Sequence, residues 1–389
     1  MALTAKQIYT IVNEVANQAM GGKNIDVIDN RGLIALGNTV LGSNDTANNF
    51  INALTDRIGR TIVSFRAYHS HFPDFERDAI EWGNILQKLK IGMPEVESDD
   101  SYNLKDGTSV DQYKINKAKV NQMLFSSETP WQTHITVHLD ELEKAFVDST
   151  AMGTFISGMF GEVQNRIELA MENLSMECVN NYIAELIKRK TSNPNRVFNL
   201  VTLYKDATGV DHTTEPLSAL DDEEFLKFTV RTINRISSTM EYMTKGVFNN
   251  AEGTGEVYTR HTPKSEQRMM LFIDMVNALK TNINSKAFNM EQVAIDIPFQ
   301  TVPFWQSVKE PAGLNVTPAS EGTGVTAPIV ESEVMGILYD REAMGTFKKK
   351  YSSLTSPINA AGKYYNVFYH MITMYYNDLT ENAVVFLLA

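Results

Sequence analysis

The sequence predicts a mixed α+β fold with two packed lobes and a ribbon that reaches beyond its own body. With 389 residues, the chain is long enough to build more than one hydrophobic core. A helical pattern of unusual length occupies residues 152–190, and two stretches of strand-like pattern flank the polar residues 97–120. The long helix and the ribbon therefore decide the interpretation.

The overall composition is that of a folded protein with an acidic surface. Apolar residues make up 43% and charged residues 21% of the chain, and the formal net charge is −12. An acidic subunit offers no positive field to phosphates, so we do not expect it to grip nucleic acid. The single cysteine, Cys178, excludes an intrachain disulfide and suits a reducing compartment. No stretch of eighteen apolar residues occurs, so we expect no membrane span. The N-terminus has no uninterrupted apolar run behind a basic cluster, so we expect no secretion signal.

The N-terminal region has the pattern of an arm rather than of a core. Apolar residues from Ile8 to Ala19 recur at helical spacing, and the glycines Gly21 and Gly22 end the predicted helix. After a polar connection, residues 50–58 predict a further helical segment before a β-branched run begins at Thr61.

The polar stretch of residues 97–120 lies between two predicted strands, the limbs of the ribbon. Residues 85–93 carry apolar side chains mostly at odd positions, which is typical of a half-buried strand, and residues 131–139 repeat the pattern. Long loops without structure are uncommon inside a domain, and an isolated two-stranded ribbon is only marginally stable. We therefore expect the ribbon to lie on another subunit.

The long helix follows directly. Asp140 and Glu143 have the spacing of a capping box before a short helical segment, and the basic residues 188–190 suit the negative end of the helix dipole. One apolar stripe runs along the predicted helix: Ile156, Phe160, Val163, Ile167, Met171, Leu174, Cys178, Tyr182 and Leu186. Three glycines, Gly153, Gly158 and Gly161, lower the helix propensity near the start of this helix. They predict either a bend or close packing against a neighbouring element.

The remaining residues predict a second lobe that ends in a sheet. A helix is expected after the acidic residues 221–224, and the final strand is expected to be buried because it is so apolar. The other predictions are strands at residues 196–204, 268–276, 334–340, 364–376 and 382–389, and a helix at residues 341–351.

The order of these elements resembles the major capsid protein of tailed bacteriophages, which has the Hong Kong 97 type of fold. The segment FINALTDRIGRTIV resembles short-tailed phage members, and THITVHLDELEKAFVDSTAMGTFISGMF resembles the passage from hairpin to spine helix. VMGILYDREAMGTF and the later DLTENAVVFLLA are similar to the closing strand, helix and strand of such proteins.

The resemblance implies an α+β fold with an N-terminal arm, an extended β-hairpin (the E-loop), a long spine helix, and peripheral and axial domains. The implied boundaries are residues 1–64 for the arm, 65–139 for the E-loop, 140–221 for the peripheral domain with the spine helix, 222–333 for the axial domain and 334–389 for the C-terminal sheet of the peripheral domain.

The resemblance also implies the function. Such a protein assembles as hexamers and pentamers into an icosahedral phage head, with a scaffolding protein and a portal, and the head encloses double-stranded DNA without sequence-specific binding. The expected location is the virion capsid, assembled in the cytoplasm of a bacterial host, with no membrane and no cofactor. Two alternatives stay open: an encapsulin-like compartment shell, or an α+β enzyme without a recognisable site.

The acidic and basic residues of the ribbon are the candidate contacts between subunits. Apart from Lys105, acidic residues come early in the polar stretch and lysines come late, so pairing with a neighbour would set its register. The predicted contact residues are Asp99, Asp100, Asp106, Lys114, Lys117, Lys119 and Trp131.

The residues that could bind a metal or act as acids and bases can also be explained as ordinary structural residues. The stretch HSHFPDFE holds His69, His71, Asp74 and Glu76, which are possible metal ligands but suit an exposed junction. His134 and His138 lack a third ligand, and the acids at residues 221–224 suit the first turn of a helix. We therefore predict no catalytic, metal or cofactor residues.

Overall fold

The structure is a computed structural model. It describes residues 5–21, 26–58, 71–72, 75–76, 86–92, 99–111, 113, 115, 117, 120–126, 128–249, 259–283, 295–318 and 327–389. The chain divides into two compact units. Unit 1 comprises Met1–Gly83, Ser127–Ser175 and Thr346–Tyr375, and unit 2 comprises Asn84–Ser126, Met176–Gly345 and Tyr376–Ala389.

The described residues contain both helices and strands, as predicted for an α+β fold. The helices are α1 Ala5–Ala19, α2 Asn30–Leu41, α3 Asn44–Ile58, α4 Leu139–Ala145, α5 Ser149–Lys188, α6 Leu200–Thr208, α7 Glu223–Met240 and α8 Ile273–Ala278. The strands are β1 Leu86–Ile91, β2 Val120–Phe125, β3 Glu128–His138, β4 Val197–Asn199, β5 Thr244–Lys245, β6 Thr259–Arg260, β7 Gln267–Phe272, β8 Phe299–Val302, β9 Leu314–Val316, β10 Ile329–Glu331, β11 Val334–Asp340, β12 Met344–Thr355, β13 Tyr364–Asn377 and β14 Ala383–Leu387.

Unit 1 is built on a three-stranded sheet in the order β12, β13, β3. β3 and β13 are antiparallel, with Tyr364 opposite His138 and Met374 opposite Glu128. Buried side chains alternate with half-buried ones along most of β13, which confirms the predicted aromatic strand. The buried face of the sheet shares one apolar cluster with residues of α1, α2, α3 and α5. The N-terminal helices thus contribute to the core of this unit.

Helix α5 confirms the long helix predicted over residues 152–190. It begins after Asp148, whose carboxylate accepts a hydrogen bond from the Ala151 N–H at 2.7 Å. Residues 149–175 belong to unit 1 and residues 176–188 to unit 2. The buried members of the predicted stripe are Ile156, Val163, Ile167, Met171, Leu174, Cys178, Tyr182 and Leu186. The side chain of Phe160 lies outside the described part of the chain.

The glycines at the start of α5 differ in their surroundings. A Cβ at Gly153 would lie 2.7 Å from Cδ1 of Ile8, so α1 packs closely against the helix at this point. At Gly158 a Cβ would meet no atom of the described residues within 4 Å. Close packing therefore accounts for Gly153 but does not account for Gly158.

Unit 2 contains a five-stranded sheet in the order β4, β14, β11, β7, β8. β14 pairs in parallel with β4 and antiparallel with β11. Every residue of β11 and β14 is buried, which confirms the predicted burial of the C-terminal strand. The apolar cluster of this unit contains residues of the sheet together with residues of α6, α7 and α8.

Several local predictions were wrong. The strand predicted at residues 268–276 ends at Phe272, and Ile273–Ala278 form α8. Residues 341–351, predicted as a helix, form a 3₁₀ turn at Arg341–Ala343 followed by the first part of β12, because pairing with β13 overrides local helix propensity. Only residues 197–199 of the strand predicted at 196–204 are extended. Asn199 then caps α6 by accepting a hydrogen bond from the Thr202 N–H at 2.9 Å.

The segment expected to be a polar connection contains a helix, α2. Asp29 caps α2 by accepting a hydrogen bond from the Gly32 N–H at 2.7 Å, and Leu33, Leu36 and Val40 are buried. Gly37 weakens the helical signal of the sequence. A Cβ on Gly37 would lie 2.6 Å from Cβ of Phe146. The glycine that lowers the helix propensity of this segment is therefore the residue that allows α2 to pack against Phe146.

The pairing of the predicted ribbon also differs from the expectation. The strand predicted at residues 131–139 exists as β3, but it pairs with β13 in unit 1. The strand predicted at residues 85–93 exists as β1, and its partner is β2, in which Val120 lies opposite Ile91. The sequence did not reveal β2 because Asn121 and Gln122 interrupt its apolar pattern. The resulting β1–β2 hairpin has six residue pairs.

The centre of the five-stranded sheet should not tolerate a methyl group at Gly336. A Cβ there would lie 2.6 Å from the carbonyl oxygen of Met270 on the neighbouring strand. We expect Gly336→Ala to lower the free energy of unfolding by about 1 to 3 kcal/mol or more in a urea titration. Gly158→Ala is the control, because it has free space in a helix and should raise stability by up to about 1 kcal/mol. Equal midpoints for the two variants would contradict the described packing.

Candidate assembly surface: the β1–β2 hairpin

Both faces of the β1–β2 hairpin carry apolar side chains, but its two lysines share the inward face. The inward face holds Lys88 and Lys90 with Leu86, Met123 and Phe125, and the outward face holds Gln87 and Gln122 with four aliphatic residues. Because directly opposed residues of an antiparallel pair lie on one face, the register places Leu89, Ile91, Val120 and Leu124 together. These four side chains, which we call the outward face, are 59%, 70%, 62% and 54% exposed. The sequence pattern predicted that the odd-numbered residues of β1 are buried, and within one chain the opposite is found.

The inward face of the hairpin is held by a cluster of two lysines and two carboxylates, Lys88, Lys90, Asp378 and Glu381, which we call the lysine clamp. Nζ of Lys90 lies 2.8 Å from Oδ2 of Asp378 and 2.9 Å from Oε1 of Glu381. Nζ of Lys88 lies 2.9 Å and 3.0 Å from the same two oxygens. The side chain of Lys90 is 1% exposed and that of Asp378 is fully buried. Lys90 and Asp378 are therefore paired in a nearly dry site, whereas the side chain of Lys88 is 20% exposed. Two further charges adjoin the cluster: Oε2 of Glu342 lies 3.7 Å from Nζ of Lys88, and Nε of Arg260 lies 3.8 Å from Oε2 of Glu381.

Two further contacts seat the hairpin. The ammonium group of Lys90 also donates to the Thr380 hydroxyl. The ring of Phe125 packs against that of Tyr376, with centroids 5.4 Å apart.

The carboxylates of the clamp belong to a short segment, residues 378–383, that is fixed independently of the hairpin. The fully buried guanidinium of Arg196 donates to the carbonyl oxygens of Leu379 at 3.0 Å and of Ala383 at 3.3 Å. The Tyr182 hydroxyl donates to the Asp378 carbonyl oxygen at 3.2 Å. These contacts fix the backbone of the segment without the lysines, and the Asp378 carboxylate also accepts hydrogen bonds from the N–H and the hydroxyl of Thr380.

The lysines keep the buried carboxylates ionised. Burial alone raises the pKa of Asp378, but the charges of Lys88 and Lys90 and hydrogen bonds from Lys90 and Thr380 outweigh it and bring the pKa to about 2. Burial likewise opposes the two lysine charges at Glu381, and the net effect is a lowered pKa. At Lys88 burial lowers the pKa, yet the facing carboxylates raise it overall. Removing one partner from such a buried pair typically costs about 3 to 5 kcal/mol.

The tip of the hairpin is exposed over the part that the structure describes. Asp99 accepts a hydrogen bond from the Ser101 N–H at 3.0 Å and so caps a 3₁₀ turn at Asp100–Asn103. Every side chain from Ser101 to Asp111 is exposed, including Asp106, and so is Lys117. Lys114 and Lys119 lie outside the described residues. Three of the predicted contact residues, Asp99, Asp106 and Lys117, are therefore exposed at the tip.

Trp131, the remaining predicted contact residue, lies on β3 in unit 1 and not on the hairpin. It is half-buried and lines a groove of about 490 Å³. The other lining residues are Pro130, Gln132, Ser352, Leu354, His370, Met371 and Ile372. The groove is largely apolar, so it suits an aliphatic or aromatic side chain.

The groups considered for metal or acid–base chemistry have other partners. His71 lies 3.1 Å from Glu172, and Glu76 pairs with Lys348 at 2.6 Å. His69 and Asp74 fall outside the described residues. His134 and His138 pack against Phe368 and Tyr364, respectively.

The acids at residues 221–224 begin helix α7, as expected for a helix start. Asp222 caps it by accepting a hydrogen bond from the Glu224 N–H at 2.9 Å. Among the described helices, none combines the length and the apolar character that crossing a lipid bilayer requires.

Sequence reasoning did not identify the lysine clamp. Its available signals were the alternation of lysine with leucine in LQKLKI and the acids in the short turn before the last apolar strand. Neither signal shows that the lysines contact these acids, because Lys90 and Thr380 are 290 residues apart in the sequence.

The fold belongs to the class of phage capsid proteins. The chain matches one in the capsid structure of Staphylococcus phage Andhra with a TM-score of 0.57 at 10% sequence identity, covering 85% of this chain and 87% of that chain. A chain in the structure of the head fiber and inner core protein gp22 of native bacteriophage P68 gives a TM-score of 0.50 at 10% identity, with the same coverage. The structural likeness confirms the predicted Hong Kong 97-like fold.

Sequence comparison then identifies the family. The chain is 20% identical over 394 residues to the major capsid protein of Bacillus phage B103, covering 99% of this chain and 74% of that protein. It is 20% identical over 391 residues to the major capsid protein of Bacillus phage GA-1, covering 99% and 70%. Residues 8–387 match the Phi29-like phage major capsid protein family, and the chain belongs to this family. It is therefore a structural shell protein of a phage virion. Its family membership favours this function over the encapsulin-like and enzymatic alternatives.

The lysine clamp makes the stability of the hairpin depend on pH. Folding lowers the pKa of the Asp378 carboxyl from 3.8 to about 2. The stability that this shift contributes is fully present at a pH above the unfolded-state pKa and is lost as the pH falls through the folded-state pKa. We expect the gap in unfolding free energy between the unmodified chain and Asp378→Asn to narrow by about 2 kcal/mol between pH 6 and pH 2. Urea midpoints measured across that range provide the test. A gap that stays constant would show that the lysines do not stabilise the Asp378 carboxylate.

Proposed function

We propose that the chain assembles as hexamers and pentamers of an icosahedral phage head, and that the outward face and tip of the β1–β2 hairpin are covered by a neighbouring copy. The exposed aliphatic residues of the hairpin carry the proposal. Four large aliphatic side chains on one face of a ribbon are more than half exposed, and a contiguous exposed apolar face is typical of a contact surface.

The occupant of the outward face is a second copy of the same chain. A shell protein is surrounded by copies of itself, so an apolar surface on each copy is satisfied in all of them by one repeated contact. Burying an exposed aliphatic side chain contributes about 1.5 to 3 kcal/mol, so Leu89, Ile91, Val120 and Leu124 together would supply a substantial part of such a contact.

The hairpin tip adds selectivity to this contact. In our proposal charged side chains of the tip pair with charges on the neighbour. They are the early acids Asp99, Asp100 and Asp106 and the late lysines Lys114, Lys117 and Lys119. Exposed pairs contribute only about 0 to 1 kcal/mol each, so they choose partner and register. The groove beside Trp131 would receive an apolar side chain of a neighbour's tip, such as Tyr102, which is exposed.

The finer assignments follow the family resemblance. We propose assembly in the cytoplasm of a bacterial host, with a scaffolding protein and a portal, around double-stranded DNA that is enclosed without sequence-specific binding. The formal charge of −12 supports a wall that does not grip DNA. The proposed organisation remains an arm at 1–64, an E-loop at 65–139, peripheral parts at 140–221 and 334–389, and an axial domain at 222–333.

The outward face can be tested by changing its polarity. We expect the combined variant Leu89→Ser, Ile91→Thr, Val120→Thr and Leu124→Ser to fold with a circular dichroism spectrum like that of the unmodified chain, because these side chains are already exposed. Particle yield, measured by sedimentation and negative-stain microscopy, should fall at least tenfold, since about 1.4 kcal/mol per subunit contact already suffices for a tenfold weakening.

A conservative variant controls for the number of changes. Leu89→Ile, Ile91→Val, Val120→Ile and Leu124→Met keep the face apolar and should leave the particle yield close to that of the unmodified chain. Undiminished particles from the polar variant, or no particles from the unmodified chain with its scaffold, would count against the proposal.

The tip can be tested separately by shortening it. Since Ile91 pairs directly with Val120, replacing residues 92–119 by Asn-Gly closes the two strands with a two-residue turn and preserves their register. We expect a folded subunit whose hairpin is retained but whose particles form poorly or with irregular size in micrographs. A full yield of regular particles would show that the tip does not hold neighbours together.

A further inference from the structure

The three-stranded sheet of unit 1 has one face on the core and one face in solvent. The odd-numbered residues 365–371 of β13 are buried in the apolar cluster of the unit. The even-numbered residues, 130–138 of β3 and 364–372 of β13, lie opposite one another on the other face. Those of β3 are exposed and those of β13 are half-buried. We call this surface the histidine face, because it holds His134, His138 and His370.

The three imidazoles of the histidine face lie against aromatic rings. The ring centroids of His134 and Phe368 are 5.6 Å apart, and those of His138 and Tyr364 are 5.8 Å apart. The ring of His370 stacks on that of Phe368, with 6.4 Å between centroids and 20° between planes. The exposed side of the sheet is therefore a band of ordered rings.

The histidine face holds no carboxylate, ammonium or guanidinium group. Charged residues make up 21% of the chain, but none occurs in the five facing pairs of this surface. Its other polar groups are amides and hydroxyls, and the Thr136 hydroxyl donates to Oδ1 of Asn366 at 2.7 Å. Such groups can be buried when they are hydrogen-bonded, whereas charged residues are depleted from the centres of protein contacts. A stacking site for nucleic acid would need a basic groove, which these pairs do not supply.

A second copy of the chain is the partner that fits the histidine face. Each copy has a formal charge of −12, so two copies repel one another except where the facing surfaces carry little charge. The histidine face meets this requirement. It also continues into the groove beside Trp131, because Gln132 and His370 belong to both.

Histidine makes such a contact sensitive to pH. A histidine side chain ordinarily changes its charge near pH 6.5, where carboxylates and lysines keep theirs. Three of the seven histidines of the chain lie on this face, so their protonation would place three like charges on it. The other titratable side chain among the facing pairs is that of Tyr364. Burying the three cations without a facing anion would therefore be unfavourable.

The charged groups around the histidine face lie at its margins. Along β3 the face is followed by Asp140 and preceded by Glu128, and Lys363 precedes its first residue on β13. On the neighbouring strand β12, Lys348 is paired with Glu76 at 2.6 Å. None of these groups belongs to the five facing pairs, so the imidazoles at its centre have no carboxylate opposite them.

We propose that the histidine face is a contact surface for a second copy of the chain, and that protonation of His134, His138 and His370 opposes this contact. The proposal rests on the proposed function, because a shell is what brings copies against this face. Assembly is favoured above about pH 6.5, where the imidazoles are neutral, and is lost as the pH falls and they gain charge.

The first test measures the critical concentration for particle formation between pH 8 and pH 5.5. A histidine with a pKa of about 6.5 is about nine-tenths protonated at pH 5.5, so each one that has to be neutral weakens the contact by about tenfold. We expect the critical concentration to rise at least tenfold across this range. The lysine clamp keeps its charges there, because the pKa of Asp378 is about 2 and that of Glu381 is lowered.

A glutamine variant tests whether the pH effect comes from this face. His134→Gln, His138→Gln and His370→Gln together keep the face polar and uncharged at every pH. This variant should form particles at pH 7.5 like the unmodified chain, and its critical concentration should change less than threefold down to pH 5.5. Should it fail to fold, His134→Gln with His138→Gln changes only exposed positions and should reduce the pH effect at least threefold.

A lysine variant supplies the opposite change. His134→Lys places a permanent charge on the face and should lower the particle yield at least tenfold at pH 7.5, with an unchanged circular dichroism spectrum because the position is exposed. His261→Lys is the matched control at an exposed histidine of unit 2 and should assemble normally. Equal losses in the two variants would reveal a general effect of charge and would overturn the proposal.

A chemical footprint locates the contact. Diethyl pyrocarbonate modifies neutral imidazoles, and mass spectrometry at pH 7.5 should find His134 and His138 modified at least tenfold more slowly in particles than in free subunits. Equal rates, a critical concentration independent of pH, or a glutamine variant with the full pH effect would each overturn the proposal while leaving the proposed function intact. An unmodified chain that forms no particles at any pH would instead defeat the proposed function and the inference that rests on it.

Discussion

Charge balance inside the lysine clamp is the constraint on which the attachment of the β1–β2 hairpin depends. Two carboxylates of one short turn are buried, and two lysines of the hairpin balance them at distances of 2.8 to 3.0 Å. Since an unbalanced buried charge costs several kcal/mol, the lysines have to face inward. Strand geometry then forces the intervening residues, Leu89 and Ile91, to face outward. The exposed apolar surface is thus a consequence of the buried charges.

The turn that holds the carboxylates depends in turn on the sheet of unit 2. Residues 378–383 connect β13 with β14, and β14 is buried on both faces between β4 and β11. Arg196 precedes β4 and reaches the carbonyl oxygens of the turn. Thus the core strands fix the turn, the turn fixes the carboxylates, and the carboxylates fix the hairpin.

For a lone soluble protein this arrangement would be unfavourable, because aliphatic side chains stay in water while lysines are dehydrated. The proposed function resolves this conflict, since a neighbouring copy would cover the exposed aliphatic side chains in the assembled shell. The membership of the chain in a phage major capsid family and the polarity of its hairpin therefore support the same interpretation from independent directions.

Periodic patterns in the sequence were enough to determine the long helix α5, the aromatic strand β13 and the buried strand β14. These elements follow local rules, since a side-chain stripe at helical spacing or an alternation along a strand is visible in neighbouring residues. The order of elements also carried the resemblance to the capsid fold. Weak or ambiguous local signals were misleading: glycine hid α2, and local helix propensity gave the wrong structure for residues 341–351.

Only the tertiary structure decided how the hairpin is paired and which of its faces is buried. The pattern of Leu89 and Ile91 correctly showed a strand with two unlike faces, but within one chain these two residues lie on the exposed face. The decision comes from Asp378 and Glu381, which are far from the hairpin in the sequence. A local pattern records the polarity of a strand, whereas its orientation depends on charges that only folding brings beside it.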